Sequence, residues 1–249
     1  MMPVVAFHIL TIFPEMFRTP MSEGIVARAL DKGLLKVDLH NPRDKALGRH
    51  RMVDDYAFGG GPGMIMKPEP IFETVEDIRA SIPDNQTMPI VLLTPQGRNL
   101  TQQIVEELVF CPQIVLICGR YGGVDERVRQ YLVTDEISIG DYILSGGEIA
   151  AMVLVDTISR LVPGVVGSKE STSVDSFTTG MIQHPQYTRP AKFRNWEVPN
   201  LLLSGNHTEI ALWRRRESLR RTVERRPDLL DSIELSEDER IFIEDMGHA

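Results

Sequence analysis

Two short stretches of the sequence are dense in glycine, as nucleotide-binding loops often are: FGGGPGM at 58–64 and LSGGE at 144–148. Neither is a P-loop, because no Gly-Lys-Ser/Thr follows, and neither fits the G-x-G-x-x-G pattern of dinucleotide-binding folds. The second stretch closes SIGDYILSGGE with a carboxylate, which would repel a phosphate group. The glycines therefore favour either a pocket without phosphate recognition or ordinary tight turns.

Three loops rich in glycine and proline follow strand-like runs: TPQGR at 94–98, GRYGGVDER at 119–127 and IGDYILSGGE at 139–148. In an open α/β sheet, the ligand crevice lies outside the carboxyl ends of the strands. Glycine lets the backbone approach a ligand closely, so that N–H and C=O groups can hold a flat, uncharged ring such as adenine. The pattern predicts such a pocket, and plain turns are the alternative.

The elements that must position these loops alternate between strands and helices. Apolar runs predict strands at 4–10, 34–40, 89–94, 113–118 and 135–139, and helical spacing predicts helices at about 22–31, 100–109 and 148–161. Ser22 is the expected cap of the first helix and Gly33 its stop. This alternation predicts an α/β fold in which helices cover both faces of a parallel sheet.

The chain changes character after the third predicted helix. Residues 162–180 are rich in Gly, Ser and Thr without a clear period, which predicts a linker or a mobile loop. Beyond it, two helices are expected. The first opens at the capping pair Asn206 and Glu209 and ends near Arg226, and the second opens at Ser236. Three apolar residues of the longer helix are predicted to share one face: Leu212, Leu219 and Val223.

Charge is distributed unevenly along the chain. The net charge of −8 argues against a nonspecific nucleic-acid binder, yet residues 184–226 hold ten Lys/Arg and only four acids. Residues 227–249 hold eight acids and one Arg. The basic block predicts a local polyanion site, with a solvated charged helix face as the alternative.

Composition sets the remaining limits. No apolar run approaches the roughly 18–20 residues that span a bilayer, and the first ten residues lack the basic residue and cleavage site of a signal peptide. Cys111 and Cys118 are expected to be core thiols in a reducing compartment, so we expect a cytoplasmic protein. The six histidines form no metal-binding spacing, so no metal ligands are predicted.

Nine motifs occur in an order that closely resembles the bacterial tRNA (guanine-N1)-methyltransferases of the SPOUT superfamily. They are TIFPEMF (11–17), YAFGGGPGM (56–64), LTPQGR (93–98), CGRYGGVDERV (118–128), SIGDYILSGGE (138–148), SRLVPGVVG (159–167), DSF (175–177), HPQYTRP (184–190) and VPNLLLSGNH (198–207). The resemblance covers nearly the whole chain except the acidic tail.

The resemblance implies an α/β fold of SPOUT type, whose parallel sheet carries a deep trefoil knot, plus a small helical C-terminal domain. The expected divisions are a knotted S-adenosylmethionine-binding catalytic domain at 1–166, a flexible linker at 167–182 and a helical tRNA-binding domain at 183–249. It also implies an obligate homodimer. The residues alone would predict an unknotted doubly wound sheet, because knotted connections are rare.

The same resemblance implies that the three loops bind S-adenosylmethionine. The matching positions are Leu93, Thr94, Pro95, Gly119, Tyr121, Ile139, Gly140, Tyr142, Leu144, Gly146 and Gly147. In this interpretation SIGDYILSGGE is part of a cofactor pocket, where Asp141 and Glu148 would tolerate a ligand that carries a sulfonium and an amino group.

The implied reaction transfers a methyl group to N1 of the guanosine that follows the anticodon, tRNA position 37. The resemblance makes Asp175 the general base and Arg160 the group that stabilises charge on O6, which agrees with the chemistry of both side chains. A loop cap and a surface ion pair are the respective structural alternatives. Four arginines are expected to hold tRNA phosphates: Arg214, Arg215, Arg220 and Arg221. Tyr187 and Trp196 are expected either to stack on bases or to belong to the core.

One position departs from the family pattern. Gly122 stands where the family usually has a glutamate that is associated with the target guanine and with magnesium dependence. The departure leaves the magnesium requirement open. It also keeps open a second hypothesis, that the chain is a catalytically impaired SPOUT-type RNA-binding protein. A third, an enzyme acting on ribosomal RNA or on a ribose hydroxyl, is disfavoured by the C-terminal motifs.

Overall fold

Five parallel strands form the central sheet in the computed structural model, which describes residues 5–83, 85–167 and 174–247. Their order is β2-β1-β6-β5-β7, with β1 Val5–Leu10, β2 Leu35–His40, β5 Ile90–Asn99, β6 Gln113–Cys118 and β7 Asp135–Ser138. A separate antiparallel hairpin pairs β3 (Asp54–Tyr56) with β4 (Met64–Met66). All five predicted strands are confirmed, and β5 runs further than its apolar segment indicated.

Helices cover both faces of this sheet. They are α1 Arg18–Ser22, α2 Gly24–Asp31, α3 Pro68–Ala80, α4 Gln102–Leu108, α5 Glu126–Tyr131 and α6 Glu148–Leu161, with 3₁₀ turns at Pro14–Phe17 and Pro42–Asp44. Alternate residues of β6 point in opposite directions, so Leu116 packs with α2, α4 and α6 while Val115 packs with α3 and α5. The predicted α/β class, with a parallel sheet covered on both faces, is confirmed.

The start of α2 differs from the prediction. Ser22 ends the short helix α1, and its hydroxyl donates to the carbonyl of Thr19 at 3.0 Å, so it does not cap α2. The helix α2 begins after Glu23, which makes no capping bond through its side chain. Its end follows the prediction, because Gly33 adopts the left-handed conformation at φ +65°.

A polar cluster is embedded between β1, β2 and β6. His8 Nδ1 lies 3.1 Å from His40 Nε2, and His8 Nε2 lies 3.0 Å from the Gln113 side-chain oxygen. Burial, together with the nearby His8 ring, lowers the pKa of His40, against an opposing effect of the Asp38 carboxylate and with a smaller lowering effect of the Lys36 ammonium. The cluster therefore favours neutral His40.

The chain divides into two compact units, Met1–Ser168 and Lys169–Ala249. The predicted linker at 167–182 spans this division, and its residues 168–173 lie outside the described part of the chain. The second unit contains β8 Lys192–Phe193, β9 Trp196–Glu197, α7 Asn200–Leu203, α8 His207–Arg225 and α9 Glu237–Gly247. Within the described residues, no helix combines the length and apolar character that crossing a bilayer requires.

Both predicted caps in the second unit are confirmed. The Asn206 side chain accepts a bond from the Glu209 amide at 3.3 Å, and Ser236 exchanges two bonds with Glu239. The prediction for the apolar face of α8 is wrong at Leu212, which is 55% exposed. The buried face is formed instead by Ile210, Ser218, Leu219 and Thr222. The hydroxyl of Thr222 can be buried because it donates to the Ser218 carbonyl at 2.8 Å.

Candidate functional site

A cavity of about 410 Å³ lies at the carboxyl ends of β5, β6 and β7. Its volume falls in the range of about 300–1,000 Å³ that is typical of small-molecule sites. All eleven positions predicted to bind the cofactor line it: Leu93, Thr94, Pro95, Gly119, Tyr121, Ile139, Gly140, Tyr142, Leu144, Gly146 and Gly147. The three loops therefore meet around one cavity.

Backbone hydrogen bonds join these loops to each other. The amide of Gly147 donates to the carbonyl of Gly119 at 3.0 Å, and an antiparallel bridge pairs Arg120 with Gly146. On the other side, the amide of Gly122 donates to the carbonyl of Met64 at 2.8 Å. The loop at 119–123 is thus fixed between the third loop and the β3–β4 hairpin.

Two glycines show why side chains are excluded here. A Cβ atom on Gly147 would lie 2.8 Å from the Cα atom of Cys118, closer than real contacts allow. Gly140 has φ +148°, and a Cβ atom there would lie 2.5 Å from the ring of Tyr142, whose hydroxyl donates to the carbonyl of Ile139 at 3.0 Å. The glycines permit close backbone approach, as a flat ring pocket requires.

Glu148 does not face the predicted ligand. Its side chain is fully buried, does not line the cavity, and accepts a bond from the Thr11 hydroxyl at 2.8 Å. Its second oxygen lies 2.8 Å from Nε of Arg120, forming an ion pair without an aligned hydrogen bond. Arg120 also donates to the Ser145 carbonyl at 3.1 Å. Asp141 is exposed and likewise does not line the cavity.

A polar group at the cavity was missed by the sequence interpretation. Arg129 of α5 pairs with Glu126 at 2.6 Å and donates to the side-chain oxygen of Gln96 at 3.1 Å. The hydrogen bond from Arg129 lowers the pKa of the Glu126 carboxyl, although both groups are solvent-accessible. The sequence held a signal for this group, because Gln96 lies in the LTPQGR motif and Glu126 in the CGRYGGVDERV motif.

The two predicted catalytic side chains lie in different compact units. Arg160 is exposed in the last turn of α6, and Asp175 is half-buried in the turn that follows residue 173. Among the described residues, no group of three or more His, Cys, Asp and Glu side chains is arranged to hold a metal ion.

The four arginines predicted to bind tRNA have different surroundings. Arg215 pairs with Glu239 at 2.6 Å. Arg220 pairs with two glutamates of its own helix, Glu217 and Glu224, and Arg221 donates to the carbonyl of Gln183 at 3.5 Å.

Arg214 is the one exposed residue of the four, and the other three are partly buried. Like Arg221, it has no acidic side chain within 4.0 Å in the described ranges, and like Arg215 it lines a cavity of the second unit. Phosphate contact by the four arginines stays a prediction, and Arg214 is the most accessible of them.

The two cysteines and the aromatic candidates are also placed. Cys118 is fully buried and Cys111 is partly buried, and burial raises the pKa of both thiols. Tyr187 is half exposed. Trp196 is 66% exposed, so the core alternative is wrong for this tryptophan.

Comparison with known proteins identifies the family. The profile described as tRNA (guanine-1)-methyltransferase TrmD matches residues 5–232. Proteins named tRNA (guanine-N(1)-)-methyltransferase are 52% identical over 238 residues in Dehalococcoides mccartyi and 55% identical over 239 residues in Citrifermentans bemidjiense. Each alignment covers 96% of this chain and 95% of the relative. The relative from Geobacillus kaustophilus is 53% identical, with 95% and 96% covered.

Proposed function

The chain belongs to the tRNA (guanine-1)-methyltransferase family, and we propose that it transfers a methyl group from S-adenosylmethionine to N1 of the guanosine that follows the anticodon, tRNA position 37. The observation that carries the proposal is the glycine-lined cavity, in which all eleven matching positions lie together. We also propose, from the same family membership, a trefoil knot in the first unit, a homodimer and a cytoplasmic location.

The cavity suits the adenosyl part of this cofactor. Its surface is more apolar than polar, as an uncharged purine ring requires, and Gly147 and Gly140 let the loops that form it pack closely against Cys118 and Tyr142. The polar rim formed by Gln96, Glu126 and Arg129 offers charged partners of both signs for an amino-acid moiety. When bound, S-adenosylmethionine supplies an electrophilic methyl carbon on its sulfonium.

The chain's own task is to make N1 of guanine nucleophilic. N1 carries a proton at neutral pH, so a base must accept that proton, and the charge that develops on O6 must be stabilised. We assign the first role to the Asp175 carboxylate and the second to the Arg160 guanidinium, a planar group suited to an anionic oxygen. A positioned general base contributes roughly 10²–10⁴-fold to the rate.

The basic α8 helix supplies the contacts that hold the tRNA in this proposal. Arginine–phosphate contacts position the substrate without reading its sequence, and they weaken as salt rises. Arg214 is the strongest of the four candidates, because its guanidinium is exposed. The target base must leave its stack to reach the cavity, as for other enzymes that act on a base.

Methyl transfer from labelled S-adenosylmethionine to unmodified tRNA tests the function. We expect transfer to tRNA with guanosine at position 37 and none when adenosine replaces it. Asp175→Asn should lower the single-turnover rate by roughly 10²-fold or more, while cofactor binding is retained, because the amide cannot accept the proton. A wild-type rate for Asp175→Asn would remove this residue as the base, and methylation of the adenosine variant would overturn the target position.

The magnesium question is a separate proposal. A Cβ atom on Gly122 would lie 3.0 Å from the Met64 carbonyl oxygen, so the family's glutamate would need a small backbone shift in this chain. Comparing Gly122→Glu with the wild type at several magnesium concentrations tests whether that carboxylate brings the dependence. The impaired alternative receives no support from the relatives, which are all named as methyltransferases.

A further inference from the structure

A short hairpin in the second unit presents two aromatic rings to solvent. Strands β8 and β9 pair Phe193 directly with Trp196, and the turn between them consists of Arg194 and Asn195. Residues that face each other in an antiparallel pair project to the same side, so both rings lie on one face. The second residue pair of the hairpin, Lys192 and Glu197, forms an ion pair at 2.6 Å.

The rings and one cation form a single surface. The ring centroids of Phe193 and Trp196 lie 6.1 Å apart, and the rings are 56% and 66% exposed. The guanidinium carbon of Arg194 lies 5.3 Å from the Phe193 centroid and 5.8 Å from the Trp196 centroid, within cation–π range. Arg194 has φ +56°, an uncommon conformation for a residue other than glycine.

This surface differs from that of the other tryptophan of the same unit. Trp213 lies within α8, is only partly exposed, and packs near the His184 ring with centroids 6.4 Å apart. Trp213 therefore has an internal partner, whereas the hairpin holds Trp196 beside a cation at the surface. The hairpin therefore offers two adjacent aromatic rings and a cation to an external partner.

Charge indicates what that partner is. Arg194 adds positive charge at the rings, whereas the charge of Lys192 is balanced by Glu197. The hairpin also belongs to a stretch, residues 184–226, that holds ten cations and four acids. An electropositive aromatic surface suits an aromatic ring carried on an anionic backbone. Nucleobases stack on aromatic side chains with little dependence on sequence, and arginine adds a cation–π contribution.

We propose that the hairpin at 192–197, with Phe193, Arg194 and Trp196 as its contact surface, stacks an unpaired nucleobase of the tRNA substrate. The inference rests on the proposed function, since it takes tRNA as the ligand. It adds a stacking contact that the phosphate contacts of α8 do not supply. It also predicts that part of the binding free energy is independent of salt, because stacking releases no counterions.

Tryptophan fluorescence tests the contact directly, because the chain has only two tryptophans. Trp213→Phe leaves Trp196 as the reporter, and Trp196→Phe leaves Trp213 as the matched control. On titration with an unmodified anticodon stem-loop RNA, we expect saturable quenching of Trp196 and a clearly smaller change at Trp213. Unchanged Trp196 emission at RNA concentrations where binding is complete would overturn the proposal.

Affinity measurements provide the second test. We expect Trp196→Ala to weaken RNA binding by roughly 10-fold, within the range for one stacked base, and Trp196→Phe to retain most of the affinity. The salt slope of binding should be unchanged in Trp196→Ala, because a lost stacking contact changes no phosphate contact. The dissociation constant for S-adenosylmethionine should be unchanged in each variant.

The two proposals fail in different ways. If Trp196→Ala binds RNA as the wild type does while the wild type methylates guanosine 37, only the stacking contact is refuted. If the wild type neither binds nor methylates tRNA, the proposed function fails first. Quenching of Trp196 by a protein ligand but not by RNA would also overturn the hairpin's assignment.

Discussion

The buried pair of Arg120 and Glu148 provides the sharpest test of how the pocket is built. Glu148 is 0% exposed and Arg120 is 13% exposed at the side chain, so neither charge is well solvated. Removing one member of a buried ion pair typically costs about 3–5 kcal/mol, because the other charge stays buried without compensation. We expect Arg120→Met to lower the free energy of unfolding by about 3 kcal/mol, since Thr11 still donates to the carboxylate.

A second substitution distinguishes this mechanism from a simple loss of packing, because its effect on the free energy of unfolding should change sign with the background. Glu148→Gln keeps the shape of the side chain and an acceptor for Thr11, but it removes the negative charge. In the wild-type background it should destabilise the protein by about 1–2 kcal/mol, less than the usual cost of breaking a buried pair, because Arg120 is partly exposed and keeps its bond to the Ser145 carbonyl. In the Arg120→Met background it should stabilise the protein, because it removes a charge that was left unpaired.

The measurement is urea unfolding of the four proteins of this double-mutant cycle, followed by circular dichroism. Because the chain has two compact units, hydrogen exchange of the β6 amides should be used to assign the transition to the first unit. Equal destabilisation by Glu148→Gln in both backgrounds would refute the reasoning. A weaker affinity of Arg120→Met for S-adenosylmethionine is the expected functional consequence, since Arg120 lies in the loop at 119–123 that lines the cavity.

Three further predictions concern pH, RNA binding and the pocket backbone. The pKa of His40 is lowered in the folded protein, so below about pH 6.5 the unfolded chain binds more protons than the folded chain. The free energy of unfolding should therefore fall as the pH decreases from 6.5 toward the folded pKa. Urea unfolding between pH 5 and 8 should show a flatter pH dependence for His40→Gln. Arg214→Gln should weaken tRNA binding and reduce the salt slope of binding by about 1. Arg220→Gln should change the slope less, because two glutamates already hold the guanidinium of Arg220. Equal slopes for the two variants in a filter-binding assay would contradict this prediction. Gly147→Ala should lower the free energy of unfolding by about 1–3 kcal/mol and weaken S-adenosylmethionine binding, because its Cβ atom would collide with Cys118. Gly167→Ala is the control, since a Cβ atom there meets nothing within 4 Å, and it should change neither quantity. Calorimetry measures both the stability and the binding.

Local signals in the sequence were sufficient for the strands and for most helix ends. The five strands coincide with the apolar runs, and the bounds of α6 agree with the prediction. The caps at Asn206 and Ser236 were also predictable, since each depends on a partner only three residues away. The prediction for Ser22 failed because this residue is the last one of the short helix α1, so that Glu23 occupies the N-cap position of α2.

The gathering of the cavity residues was predictable because parallel strands end at one edge, and loops that follow them must meet there. Glu148 was not predictable in the same way. Its partner Thr11 is separated from it by 137 positions in the sequence. In the sequence this carboxylate simply follows two glycines of a predicted cofactor loop, and only the tertiary structure shows that the first turn of α6 directs it inward.

The electrostatics of the second unit also depend on contacts that the sequence does not reveal. The sequence counts ten cations between 184 and 226, but some of them are neutralised after folding, as Arg215 is by Glu239 of the acidic tail. A cation already paired with a carboxylate gains less from a phosphate, because one contact must be exchanged for another. The salt slope for tRNA binding should therefore be smaller than the count of cations implies. If the slope approached ten, the ion pairs seen within the unit would have to open when the tRNA binds.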